Sequence, residues 1–354
     1  MYTHGRKTGC RVTLDYTYRG MRVGFLENES IRVGVLVDKG GDLFELTYKP
    51  RDVDFLWQSP IELRPPFVAT NLPPEGAFHD RYHGGWQELL PSAGFSEDAY
   101  RGASQGLHGE LPNLPLDVEI VADEPDHVSL RLTARLYRSP LVLERTMTLT
   151  RGTSTLNIDE RLTNVSPDPF SVMWGHHPAF GEPFLDDSCL LQAPAASVDV
   201  LAFQPDGLWE PGVHDSYPMV RNRRTGALED IRAVRPMGEC SVDFMALSDL
   251  AEGWFAVTNR RLQLGIGIAF DTELFKYLWV WQLFGGHRDY PWYRRGYAFA
   301  VEPCTSWPPS GLADAARRGT ARVLPGDSVL TTSLVVAAYE GDGVQRIGRD
   351  GAEQ

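Results

Sequence analysis

The chain is short of cysteine, of helix signals and of long apolar runs, and each shortage removes a class of protein. Its four cysteines, Cys10, Cys189, Cys240 and Cys304, are widely scattered among 354 residues, with no CxxC pair and no metal-type spacing. They exclude a disulfide scaffold and a thiolate metal centre, and read as isolated thiols in a reducing compartment. No apolar run follows the basic start MYTHGRKTGCR and no window approaches a membrane span, so a cytoplasmic protein without a membrane partner is expected. Positive charge is scarce as well: 34 Lys and Arg against 47 Asp and Glu give a net charge of −13, which argues against nucleic acid as a partner. There is no GxSxG, no GxGxxG and no P-loop, hence no nucleophile elbow and no phosphate cradle. Helix signals are limited to GWQELL after Gly84, read as one turn, and GLADAARRG at 311–319, read as two.

What remains is a strand-and-loop composition. The apolar fraction of 42% is enough for a sizeable core, and nine Trp, 13 Tyr and 25 Pro suit strands, turns and the stacking of rings on a ligand. Alternation is the strongest pattern. In HVSLRLTARLY, Val128, Leu130, Leu132, Ala134 and Leu136 take one face and Ser129, Arg131, Thr133 and Arg135 the other. LVLERTMTLT and TSTLNIDERLTNVS continue the alternation after short turns, so 127–164 reads as a three-stranded antiparallel meander. Further strands are expected at 11–18, 31–37, 42–48, 117–122, 240–247, 254–258, 262–270, 277–284, 297–302 and 329–339, with the longest loops at 59–116 and 194–238. No repeat, low-complexity block or charge run marks a boundary. The economical reading is all-β: one large antiparallel sandwich over 1–340 with very little helix, and a frayed tail over 341–354.

The stretch MWGHHPAFGEPF raises a specific question, because His176 and His177 are adjacent. Successive strand side chains point to opposite faces, so the two imidazoles cannot share one environment. Among the other histidines, His4, His127 and His214 lie in polar, turn-like contexts and read as surface. His79 and His83 have the spacing of two metal ligands on a helical turn, but Gly84-Gly85 follow at once and no HExxH or HxH completes a set; a loop role in lining a site is the better reading, and no metal is expected. His287, in GGHRDYPW, fits either a site or a surface. His108 stands between glycines in GLHGELPNLPL, which lets the backbone approach closely. In YAFAVEPCTSWPPSG, Glu302 shares a strand face with Ala298 and Ala300. A carboxylate there is costly in a sealed core and cheaper beside a cavity, where burial raises its pKa toward that of a useful base. Asp243, in CSVDFMAL, poses the same problem. Trp279 and Trp281 in YLWVWQLFGG share one face, either as a platform for a sugar ring or as core.

At this point the residues resemble a known family. GLHGELPNLPL, HHPAFG and FAVEPCTSWP look like the three sequence blocks of the aldose 1-epimerases (galactose mutarotase-like proteins), in the family's order and at comparable spacing. The resemblance implies a β-supersandwich with a sugar site on its concave face and no cofactor. By position, His177 matches the family's general acid, Glu302 its catalytic base, His108 its substrate-positioning histidine and Asp243 the carboxylate that grips sugar hydroxyls. Trp279, Trp281, His83 and Glu88 complete the expected substrate-binding set. Two departures concern the substrate rather than the chemistry. Ala179 and Gly181 flank Phe180 where relatives carry an aromatic and an asparagine, and the arginine before the first histidine has no match, Arg101 lying seven residues upstream. YHGGWQELLPSAG looks more like a separate branch of the superfamily than the galactose enzymes.

The expectation is thus an isomerase acting on a monosaccharide or sugar derivative, as a monomer or homodimer. A base takes the proton from the anomeric hydroxyl while an acid protonates the ring oxygen; the free aldehyde rotates and the reverse transfers close the other anomer. Two alternatives stand beside it. One is another carbohydrate-active enzyme on the same scaffold (a lyase, an isomerase, or a glycosidase pairing Glu302 with Asp243 or Glu88 across the bond). The other is a non-catalytic carbohydrate-binding protein.

Overall fold

The computed structural model describes residues 6, 8–67, 78–94, 98–202, 206–212 and 214–353; His4 lies outside them. Two antiparallel sheets dominate. The twelve-stranded sheet runs Arg11–Tyr18, Met21–Glu27, Ile31–Leu36, Asp42–Tyr48, Trp86–Leu89, Gly175–Phe180, Tyr297–Cys304, Tyr277–Phe284, Ser241–Ser248, Ser197–Val200 and His214–Ser216 from edge to edge, with Val53–Asp54 beside Asp42–Tyr48. The eight-stranded sheet runs Cys189–Gln192, Trp254–Asn259, Leu264–Ala269, Ser328–Glu340, Thr155–Asn164, Leu141–Thr150, His127–Arg135 and Asp117–Asp123. Side chains of both sheets, among them Val33, Val35, Leu130, Met147, Leu156 and Phe299, merge into one buried core, the large β-sandwich that the alternation predicts.

The meander forms as read, over His127–Arg135, Leu141–Thr150 and Thr155–Asn164, and Leu312–Arg318 is a helix ended by Gly319 in the left-handed conformation. Two expectations are corrected. GWQELL is no helical turn: Trp86–Leu89 is a strand paired with Gly175–Pro178, and all four of its residues are buried. Its two sides are both covered, so the alternation that marks a strand is missing from its sequence. Nor is the tail frayed. Arg346–Gly348 and Gly351–Glu353 pair as a hairpin, and Val344 and Ile347 are buried against Trp254, Ala337 and Tyr339. Gly267 makes room for it, since a Cβ there would lie 2.5 Å from the Ile347 side chain. The strand Met21–Glu27 and the short strands inside the loops at 59–116 and 194–238 escaped the sequence reading.

Candidate active site

Strand register answers the question of the paired histidines. Gly175 pairs with Cys304 and Ala179 with Ala300, so His177 lies opposite Glu302 on one face of the larger sheet. On its other flank His177 pairs with Gln87, and Glu302 in turn pairs with Trp279. Gln87, His177, Glu302 and Trp279 therefore form a row across four strands on the outer face. His176 and Glu88, one residue along, form a row on the opposite face, between the sheets.

Two members of the outer row, His177 and Trp279, line a cavity of ≈ 140 Å³ whose other walls are loop residues around 78–82, 93–94, 107–108, 287–292 and 309; Glu302 lies behind His177, outside the lining. His177, His108, Trp281 and Trp279 line it together with His79 and His287. Gly94 allows the closure: a Cβ there would sit 2.3 Å from the Pro309 carbonyl oxygen. His177 Nε2 lies 3.5 Å from Glu302 Oε1, an ion-pair distance too long for a hydrogen bond. Neither Glu302 oxygen has a hydrogen-bond partner and the residue is fully buried. Desolvation alone raises its pKa well above the ordinary value of 4.5, and burial pulls His177 down to about 4. Burial thus favours the neutral form of both groups. A buried carboxyl group without a hydrogen-bond partner is rare in folded proteins, which makes Glu302 a candidate for chemistry.

His108 is held hard in place. Its backbone is left-handed, φ 62°, and its Nδ1 donates to the Ala93 carbonyl at 2.5 Å. Such a conformation costs a non-glycine residue roughly 1–2 kcal/mol, and it turns the ring toward His177, 5.5 Å away between centroids. Burial keeps this imidazole neutral as well, its pKa well below the ordinary value. Trp279 is fully buried and its indole N–H donates to the Ser306 carbonyl at 3.0 Å, so it is a fixed wall; Trp281, 7% exposed, presents more of its ring. Residues that the sequence reading did not single out complete the site. Tyr82 places its hydroxyl 3.4 Å from His177 Nδ1, and Phe78, Phe244 and Trp292 are further walls. The aromatic density of FHDRYHGGW is the signal the sequence carries for Phe78 and Tyr82.

Three expected sugar-binding residues are not in the cavity. Asp243 pairs with Gln282, not with Trp281, and so faces the other side of the sheet. Its carboxylate accepts hydrogen bonds from the Leu208 and Trp209 amides at 2.9–3.1 Å and anchors that loop. Glu88 lies between the sheets, where its carboxylate accepts from Arg145 Nε at 2.9 Å and from Trp174 Nε1 at 2.6 Å. Glu160 joins them, 3.4 Å from Arg145 and 3.2 Å from His176 Nε2. Glu88, Glu160 and His176 come close enough to share a cation, but Arg145 is already the cation there. His83 is buried beside Gly85, away from the cavity lining, because Gly84-Gly85 turn the chain between it and the strand. His127 and His214 are exposed, as expected.

Residues 18–336 match the model of a protein family described as a domain of unknown function, DUF4432. The chain belongs to this family. No curated protein matches it. Solved structures do. A proposed aldose 1-epimerase from Klebsiella pneumoniae superposes with a TM-score of 0.72 at 17% identity, over 94% of this chain and 84% of that one. A galactose mutarotase-like protein from Clostridium acetobutylicum gives 0.61 at 13% identity, over 94% and 99%. A galactose mutarotase related enzyme from Lactobacillus acidophilus gives 0.61 at 14%, over 94% and 100%. At these identities the likeness is one of fold, and it agrees with the mutarotase-like β-sandwich that the three sequence blocks implied. No helix among the described residues is long and apolar enough to cross a membrane.

Proposed function

We propose that this DUF4432 protein is a sugar isomerase that interconverts the anomers of a free monosaccharide by acid–base ring opening and closure, with His177 and Glu302 as the catalytic pair. One observation carries the reading: a buried, hydrogen-bond-free carboxyl group stands 3.5 Å from His177, an imidazole that lines the cavity.

Ring opening moves one proton from the anomeric hydroxyl and delivers one to the ring oxygen. A pair that holds a single proton does this without changing its net charge, which suits a buried site. Because burial favours the neutral forms, Glu302 enters as the donor and the imidazole as the acceptor in the opening half. After rotation about the C1–C2 bond the open sugar closes through the reverse transfers, and each group plays the opposite part. This differs from the assignment carried over by resemblance, in which His177 enters as the acid and Glu302 as the base. The difference is one of starting state, because both groups serve as acid and base within one turnover. His108, fixed by its bond to Ala93, positions the sugar, and Trp281 offers a ring face to its C–H bonds.

A glycosidase would need a second carboxylate facing the bond. Asp243 and Glu88, the carboxylates expected to pair with Glu302, face the other side of the sheet. The test is polarimetry on freshly dissolved α-anomers of glucose, galactose, mannose, fucose and rhamnose. Acceleration of at least one above the spontaneous rate is expected. Saturable binding with no acceleration of any of them would replace this reading by a binding protein.

A further inference from the structure

Both ring nitrogens of His177 face protein. Nε2 lies 3.5 Å from Glu302 Oε1, and Nδ1 lies 3.4 Å from the Tyr82 hydroxyl. The proposed function uses the first contact and leaves the second without a role. Tyr82 is held where this second contact forms. Its ring stacks on Phe78 at 5.0 Å between centroids and meets Trp57 and Trp292 edge to face at 5.8 and 5.7 Å. Its carbonyl accepts from Ser59 Oγ at 2.7 Å, and the chain turns two residues later at Gly84, where a Cβ would collide with the Trp57 carbonyl oxygen. A phenylalanine would make the same ring contacts. The hydroxyl is the addition, and once buried it needs a partner. Tyr82 is 2% exposed, and among the described residues that partner is His177 Nδ1. The bond is long, as catalytic hydrogen bonds often are before a substrate tightens them.

A hydroxyl can donate or accept, so the direction of this bond follows from the imidazole, which when neutral has one N–H and one lone pair. Burial holds His177 neutral, at about 4, and keeps the Tyr82 phenol protonated, well above its ordinary value of 10. Were Tyr82 to donate to Nδ1, it would occupy the lone pair and leave the hydrogen on Nε2; the imidazole could then accept nothing from a sugar. With the hydrogen on Nδ1 and the Tyr82 oxygen accepting it, the lone pair lies on Nε2, beside Glu302. Glu302, favoured in its protonated form, suits the same tautomer, because its O–H then meets a lone pair. The anomeric and ring oxygens of a cyclic sugar are bonded to one carbon, so a neighbouring donor and acceptor fit the two transfers. When Nε2 takes up the anomeric proton, Nδ1–H stays on the Tyr82 oxygen and the cation keeps a partner.

We propose that Tyr82 is a positioning residue for His177: it accepts a hydrogen bond from Nδ1–H and so fixes Nε2 as the nitrogen that takes the proton from the sugar. The assignment rests on the acid–base reading of the site given above.

Nitrogen-15 NMR of the imidazoles in the full chain reads the tautomer without any substrate, with the His177 signals assigned by their loss in His177→Asn. The wild type is expected to carry the His177 hydrogen on Nδ1, and Tyr82→Phe, which keeps the ring contacts, to lose that preference. In the same variant kcat for anomer exchange, measured on the five sugars named above, should fall by roughly tenfold or more, part of the ~10²–10⁴-fold that a positioned base supplies. The sugar Kd should stay within a few-fold and urea unfolding near that of wild type, a split that a merely structural role would not give. The wild-type spectrum decides the tautomer even where the variant does not fold. A hydrogen on Nε2 in the wild type, or exchange at the wild-type rate in Tyr82→Phe, would overturn the proposal. A hydrogen on Nδ1 without accelerated exchange of any sugar would uphold the Tyr82–His177 assignment and remove the isomerase reading.

Discussion

Replacing Arg145 by methionine separates what holds the sandwich together from what acts in its cavity. Among the described residues Arg145 is the one Lys or Arg paired with Glu88 and Glu160; it is nearly fully buried with them and also donates to the Gly41 carbonyl at 3.0 Å. Removing one partner of a buried ion pair leaves an uncompensated charge and destabilises by roughly 3–5 kcal/mol. Here protonation offers partial relief, because burial already lifts Glu160 to about 7 and raises Glu88. Without Arg145 both carboxyl groups move further up, so the loss is largest above pH 7 and shrinks as the pH falls and they take up protons. Urea unfolding followed by tryptophan fluorescence is expected to show a loss of about 3–5 kcal/mol near pH 8 and less than half of that near pH 5. Adding Glu88→Gln to Arg145→Met should recover part of the loss, since one of the stranded charges is gone. A loss below about 1 kcal/mol at pH 8, or one that grows toward pH 5, would refute the account of this network.

Three further outcomes follow from the site. With His177 pulled down to about 4, kcat/KM should show its acid limb near 4, where the imidazole gains a proton and stops accepting one; an acid limb near 6.5 in the pH–rate profile would contradict this. Asp243→Asn should lower stability by about 1 kcal/mol, because one carboxamide oxygen replaces the two oxygens that hold Leu208 and Trp209, and should leave the sugar KM unchanged; a several-fold rise in KM at unchanged stability would return Asp243 to the sugar. Gly94→Ala forces a methyl group against the Pro309 carbonyl and should cost ~1–3 kcal/mol in thermal or urea unfolding while weakening sugar binding, since the displaced loop closes the cavity; wild-type affinity in this variant would show that the closure is not needed.

The sequence carried the large elements because their patterns are local. The meander at 127–164 alternates cleanly, one side in the core and one in solvent, and its strands lie within a residue or two of where the alternation puts them. Trp86–Leu89 was lost for the opposite reason: both of its faces are covered, Gln87 toward the cavity side and Glu88 toward Arg145, a partner 57 residues away. His177, Glu302, His108 and Trp281 were legible as odd residues in strand or glycine-rich contexts, and three short blocks in a fixed order pointed to them. Asp243 was equally odd but misassigned. Alternation gives two faces without saying which one borders the cavity, and only the pairing with Gln282 rather than Trp281 decides it. Tyr82 became visible only when folding brought its hydroxyl to His177, 95 residues along the chain.

The central claim is that His177 and Glu302 pass a proton to and from a sugar, and anomer exchange in Glu302→Gln tests it most directly. The amide preserves size while removing the group that holds the proton. Saturation-transfer NMR on an accepted sugar should show kcat lowered by roughly a hundredfold or more, with the dissociation constant within a few-fold of wild type. Exchange at near wild-type rate would contradict the account.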